Sequence, residues 1–157
     1  MRPDYVNALN NLGRTFHEQG QFDRAIATTE KAIKLDPHND SLHTNLGISL
    51  TQKGLFPEAR KAFQRALTIN PKNPKALNWL ATLDAKRGLM DRAIETRKKA
   101  LAIDPYDAVA HYHIAVEYYF KREYALAIEH CDRAISLGYK EVEPEFLRHL
   151  EPFRHGK

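Results

Sequence analysis

A spacing of 34 residues recurs through this chain and limits what it can fold into. Pro37, Pro71 and Pro105 lie one period apart, as do Gly20, Gly54 and Gly88. Ala25, Ala59 and Ala93 keep the same step, and so do Ala32, Ala66 and Ala100. Within each copy, apolar residues three and four apart mark two helical stretches. A glycine separates the two, the residue that takes a left-handed conformation without steric cost. A fixed period of about 20 to 50 residues, with one helical hairpin per period, specifies a stacked solenoid rather than a single round core.

In the first copy, Pro3-Asp4 suits a helix start, because proline is tolerated in the first turn and an acidic side chain favours the positive helix end. Leu9, Leu12 and Phe16 are expected to share one face. After Gly20, Asp23 sits at the start of a second helix that turns Ile26 and Ile33 inward, and Asp36-Pro37 stops it. Small residues fill three columns: Gly13, Gly47, Ala81 and Ala115; Ala25, Ala59, Ala93 and Ala127; Ala32, Ala66, Ala100 and Ala134. Without bulk there, paired helices can approach to about 8–10 Å. A leucine at Ala93 would overpack the pair, at about 1–3 kcal/mol.

Two copies depart from the plan. In the third, Asp84 and Arg97 fall in otherwise apolar columns, either as a partly buried ion pair or as two side chains that snorkel to water. In the fourth, Lys121-Arg122-Glu123 stands where glycine is expected. A left-handed non-glycine residue costs on the order of 1–2 kcal/mol, so a turn of different construction is expected there. The period ends after Gly138. Glu143-Pro144-Glu145 then begins a short helix with Phe146, Leu147 and Leu150 on one side, expected to end at Pro152 and to cover the last repeat.

Leu9-x2-Leu12-Gly13-x2-Phe16 with Gly20, Ala25, Ala32 and Pro37 resembles the tetratricopeptide repeat family. So do Leu46-Gly47, Gly54, Ala59, Phe63, Ala66 and Pro71; Leu77-x2-Leu80-Ala81, Gly88, Ala93, Ala100 and Pro105; and Ile114-Ala115, Tyr118, Ala127 and Ala134, with Tyr139 in place of proline. The resemblance implies an all-α fold, a right-handed α-solenoid of four helix–turn–helix repeats. These would span about 6–39, 40–73, 74–107 and 108–141, with a capping helix at about 143–151, in a single domain over 1–157. It also implies a protein-interaction module that binds peptides without catalysis.

In that family the first helix of each repeat lines the concave surface. Carried onto this chain, the peptide-binding residues would be Asn11, Arg14, Asn45, Lys75, Asn78, Trp79, Tyr112, His113 and Tyr119. The N-terminal part of this set is rich in amides, and an asparagine amide can meet both N–H and C=O of an extended backbone. Asn11 and Asn45 share a column, which resembles half of the asparagine ladder in the glycosyltransferase that modifies serine with N-acetylglucosamine; Trp79 and His113 follow instead. The C-terminal part is aromatic. Trp79, Tyr112, Tyr119 and Phe120 suit side-chain anchoring, although Tyr119 or Phe120 would also fit beneath the cap. Family co-chaperones grip the acidic tails of heat-shock chaperones with five residues. Asn45 and Lys75 match that set, whereas Asn10, Arg14 and Trp79 depart, which argues against a chaperone-tail clamp. Arg14 and Lys75 remain suited to one carboxylate of an acidic peptide.

Other chemistry finds little support. The net charge of +4, with 28% charged residues, favours acidic partners only weakly. One cysteine, Cys131, excludes an internal disulfide and a thiolate-rich zinc site, and in a packing column it reads as a buried thiol. His111 and His113 are two apart on a helix and point to different sides, so no metal is expected; His111 falls in the column of Leu9 and Leu77, a core or interface position. His113 and Glu117, four apart, supply only two ligands. No phosphate loop, metalloprotease motif or nucleophile elbow occurs, and neither catalysis nor a cofactor is expected. Cations of the second helices are interleaved with Glu30, Glu58, Glu95, Glu129 and Asp132, the pattern of a solvated face rather than a nucleic-acid stripe. No apolar run approaches about 18 residues, and Met1-Arg2-Pro3 opens no secretory signal, so a cytoplasmic protein is expected. Two alternatives stay open: a scaffold that self-associates through end-to-end stacking or docking of the C-terminal helix, giving a homo-oligomer, and the targeting domain of a larger enzyme.

Overall fold

The structure, a computed structural model, describes residues 3–154; Met1, Arg2 and His155 to Lys157 lie outside the described residues, and with Met1 and Arg2 the expectation about a leader. The described residues form nine α-helices: α1 Pro3–Glu18, α2 Phe22–Leu35, α3 Asp40–Gln52, α4 Phe56–Ile69, α5 Pro74–Ala85, α6 Met90–Ile103, α7 Ala108–Phe120, α8 Tyr124–Ser136 and α9 Pro144–Arg154. The chain divides between Leu80 and Ala81 into two compact units.

In unit 1 (1–80), α1 packs on α2, α2 on α3, and α3 on α4. Ala25, Ala32, Ala59 and Ala66 are fully buried at these contacts, so the small-residue columns are where the helices meet. A Cβ on Gly47 would stand 2.6 Å from Phe63 Cε1, and one on Gly13 would stand 2.7 Å from Thr29 Oγ1. Val6 and Leu9 join Ala32 and Leu42 in a small core. Leu12 does not share that face and is 44% exposed, a correction to its expected place beside Leu9. The reason is angular: the closest contact of α1 passes through Gly13, and Leu12 sits about 100° around the helix from it.

In unit 2 (81–157), α6 packs on α7, α7 on α8, and α8 on α9. Ile114, Ala115, Tyr118, Ala127 and Cys131 form a core that takes Phe146 and Leu150 from α9. Helix α9 runs through Pro152 to Arg154 rather than stopping at the proline. Pro152 falls in the last turn, where the lost N–H costs one intrahelical bond, and Arg154 meets Asp132 of α8 through paired bonds of 2.6 and 2.9 Å.

The turn of the fourth copy is built like the others, contrary to expectation. Arg122 adopts φ +62°, beside +72° at Gly20 and +76° at Gly88. Its N–H donates to the Tyr119 carbonyl at 2.9 Å and the Glu123 N–H to Tyr118 at 3.0 Å, as Gly20 donates to His17 and Gln21 to Phe16. The packing of α7 on α8 imposes this turn and the arginine tolerates it. Asp84 and Arg97 do not snorkel, being 0% and 2% exposed. Arg97 Nε donates to Glu117 Oε1 at 2.9 Å and its Nη2 to Thr82 Oγ1 at 2.8 Å, while Asp84 faces Arg92 at 3.1 Å. A charge this deep requires such partners.

Candidate functional site

Local rules of helix capping place the side chains of the unit 1 site. Asn73, buried at the start of α5, accepts from the Ala76 N–H at 2.9 Å and donates from Nδ2 to Asp40 Oδ2 at 2.8 Å and Thr44 Oγ1 at 3.0 Å. It caps α5 and ties it to α3, which fixes Lys75 in the first turn. Trp79, one turn on, lies parallel to Phe63 with centroids 6.3 Å apart. Asn45, on α3, donates from Nδ2 to Asn10 Oδ1 at 2.8 Å.

These residues surround a cleft of about 260 Å³ whose lining includes Arg14, His17, Glu18, Asn45, Ile48, Lys75 and Trp79. An adjoining cleft of about 370 Å³ shares Arg14, Asn45 and Lys75 and adds Asn10, Ser41, Thr44 and Asn73. The shared surface is cationic. Partial burial first, then the Arg14 guanidinium, lowers the Lys75 ammonium from its ordinary value. Burial, then the Lys75 charge, lowers His17, whose Nδ1 lies 3.1 Å from Ser49 Oγ. Glu18 is 4.0 Å from Arg14, with both side chains largely exposed, so it offsets that charge weakly.

The unit 2 site forms where α9 meets α7. A cleft of about 500 Å³ is lined by Tyr112, His113, Val116, Tyr119 and Phe120 from α7, with Phe146 and His149 from α9 and Glu143 and Glu145 at its start. Phe146 sits edge-on to both Tyr112 and Tyr119, at 5.8 and 5.5 Å between centroids. Burial, then the Arg97 charge, lowers His113 to about 4, so the imidazole is neutral at pH 7. Burial, then the Glu143 carboxylate, raises the Tyr112 phenol, which is therefore protonated.

Of the residues singled out in the sequence, Arg14, Asn45, Lys75 and Trp79 come together in unit 1 and Tyr112, His113 and Tyr119 in unit 2. Asn11 is exposed and lines neither unit 1 cleft; Asn10 stands beside Asn45 in its stead. Asn78 is half-buried and also outside both. Phe120 is 66% exposed, so it does not pack beneath α9, whereas Tyr119 does meet Phe146. The α9 contribution was not singled out: Glu143, Glu145, Phe146 and His149 lie outside the repeats and have no column to reveal their direction. No group of acidic, histidine or cysteine side chains able to hold a metal occurs among the described residues. Cys131 is buried and its thiol is raised, chiefly by burial. His111 Nδ1 lies 3.0 Å from His130 Nδ1, at the α7–α8 contact.

Residues 13–54 match the family described as TPR repeat, and residues 44–108 match the one described as tetratricopeptide repeat. No curated protein matches the chain significantly. Among solved structures, the chain is similar to MamA, at 27% identity and a TM-score of 0.75 over 88% of this chain and 81% of that one. It shares its fold with the first TPR domain of Spaghetti (RPAP3), bound to the HSP90 peptide SRMEEVD, at 20% identity and a TM-score of 0.72 over 78% of this chain and 97% of that one. The Cut9–Hcn1 complex of the APC/C gives a TM-score of 0.81 at 23% identity, over 93% of this chain and 29% of that one.

Proposed function

The chain belongs to the tetratricopeptide repeat family of all-α solenoids, and from that premise we propose that it is a non-catalytic interaction module whose unit 1 cleft binds an acidic segment of a partner protein. The observation that carries this reading is the convergence of Arg14 and Lys75 on one cleft with Asn45 and Trp79. Among the described residues, no carboxylate lies within ion-pair distance of Lys75, so its charge is free to meet a ligand. Two cations held close together raise each other's energy, and an arriving carboxylate relieves it through charge-assisted hydrogen bonds. Asn45 retains its amide oxygen and one N–H for a peptide backbone, since its other N–H is committed to Asn10. Trp79 offers a ring held by Phe63, a rigid surface against which a side chain can lie. The structure of Spaghetti with SRMEEVD supports the reading to the extent that this fold has room for a short peptide.

A library of short peptides displayed against the chain tests the proposal. Selected sequences are expected to be enriched in Asp and Glu, and the enrichment to vanish for Arg14→Ala with Lys75→Ala. Selection without acidic bias, or bias retained by the double variant, would overturn it.

A further inference from the structure

The unit 2 cleft has the opposite chemistry. Two carboxylate side chains, Glu143 and Glu145, line it, and neither lysine nor arginine does. Its walls are aromatic: Tyr112, Tyr119, Phe120 and Phe146. Ring faces carry the negative end of a quadrupole, and carboxylates beside them add a full negative charge. An anion entering this cleft is repelled by two carboxylates, and a purely apolar side chain gains nothing from them. A cation satisfies both the rings and the acids. The His149 ring already lies parallel to Tyr119, with centroids 6.1 Å apart, and its Nε2 is 4.0 Å from Glu145 Oε1, so a planar nitrogen group is set between ring and acid there.

We propose that this cleft binds a cationic side chain of a polypeptide, arginine in preference to lysine, with the rings of Tyr119 and Phe120 against the cation and Glu143 and Glu145 as its counter-charge. The planar guanidinium stacks on a ring and presents paired N–H groups to a carboxylate, which the compact, strongly hydrated ammonium does less well. Phe120 is 66% exposed and lines this cleft, so its ring is accessible to a ligand seated there. The competing account is that Glu145, in the first turn of α9, serves only the helix dipole. This inference shares with the preceding one only the polypeptide nature of the ligand, and the residues on which it stands lie wholly in unit 2.

The test uses the whole chain, isotopically labelled for NMR, and two blocked pentapeptides: acetyl-Ala-Ala-Arg-Ala-Ala-amide and its counterpart with citrulline, a neutral isostere of arginine. The arginine peptide is expected to shift the amide signals of Tyr119, Phe120 and Phe146 and to bind about tenfold more tightly than the citrulline peptide. A lysine peptide should fall between the two. Glu143→Gln with Glu145→Gln should remove the preference while leaving the signals of Leu150 and Ala127 in place. Equal binding of arginine and citrulline peptides, or no shift at these residues with either, overturns the proposal whatever the variants do. An effect of the double variant on melting temperature alone, with the arginine preference intact, assigns the two acids to the helix. Signals of Arg14 and Lys75 report separately on unit 1, so the two binding proposals fail independently.

Discussion

Arg122 shows how a local cost is carried by its surroundings. Its left-handed backbone costs on the order of 1–2 kcal/mol, and its side chain is exposed, so nothing recovers that cost directly. Arg122→Gly is therefore expected to raise the unfolding free energy by about 1 kcal/mol, read by urea denaturation; no change or a loss would show that the arginine makes a compensating contact. His113 makes a different kind of residue-scale prediction. Its folded value of about 4 lies below the ordinary 6.5, so the folded chain resists a proton that the unfolded chain accepts. Stability from this group is complete above pH 6.5 and is lost as pH falls toward 4, by up to about 3 kcal/mol. His17 and His130 are lowered too, so the informative quantity is the difference between the wild type and His113→Gln, which should narrow across that range. A constant difference from pH 7.5 to 4.5 would contradict the assignment. The identity of these residues was plain in the sequence, but their states were not. A 34-residue step marks Arg122 as a replacement for glycine without showing that neighbouring packing would force it into the glycine's conformation. In the same way, the step aligns Asn11 with Asn45, whereas the hydrogen bond joins Asn45 to Asn10, 35 residues apart, a pairing that a 34-residue step does not give.

At the scale of helices, closeness of approach decides stability. Gly47 leaves room for the Phe63 ring, and Gly47→Ala would drive a methyl group to 2.6 Å from Cε1 of a buried, rigid side chain. The expected loss is about 1–3 kcal/mol, measured by thermal or urea unfolding. Gly13→Ala should cost less, because one atom, Thr29 Oγ1, comes closer than 3 Å there, whereas three atoms of the Phe63 ring do so at Gly47. Equal losses would mean that Thr29 yields no more readily than the Phe63 ring, and a gain in both variants would mean that helix propensity, which favours alanine, outweighs packing. Helix α9 supplies the parallel case in unit 2. Leu150 is fully buried against the α7–α8 core, and Leu150→Ala should cost about 2–5 kcal/mol. Cys131 lies in the same cluster, so its reaction with a thiol reagent should quicken in that variant; an unchanged rate would show that α9 does not shield the core. The alanine columns and the glycine turns carried these hairpins legibly, because one small residue per turn repeats at a fixed interval. The contribution of α9 to a binding surface was illegible, because a single helix outside the repeats has no second copy against which to read its faces.

For the molecule as a whole, the two clefts differ in sign. The unit 1 cleft gathers Arg14 and Lys75, the unit 2 cleft Glu143 and Glu145, and a net charge of +4 conceals that separation. Composition reports the sum of charges and not their placement, so the acidic cleft had no counterpart in the sequence reading, whereas the basic residues of unit 1 were visible through their repeat columns. No described helix is long and apolar enough to cross a membrane. The most direct test is calorimetry with one acidic heptapeptide and its Gln/Asn counterpart, each titrated into the wild type and into Arg14→Ala with Lys75→Ala. The acidic peptide is expected to bind the wild type about tenfold or more tightly than its neutral counterpart, with the difference shrinking as salt is raised and disappearing in the double variant. Equal affinity for both peptides, or a preference that survives loss of both cations, would contradict the account.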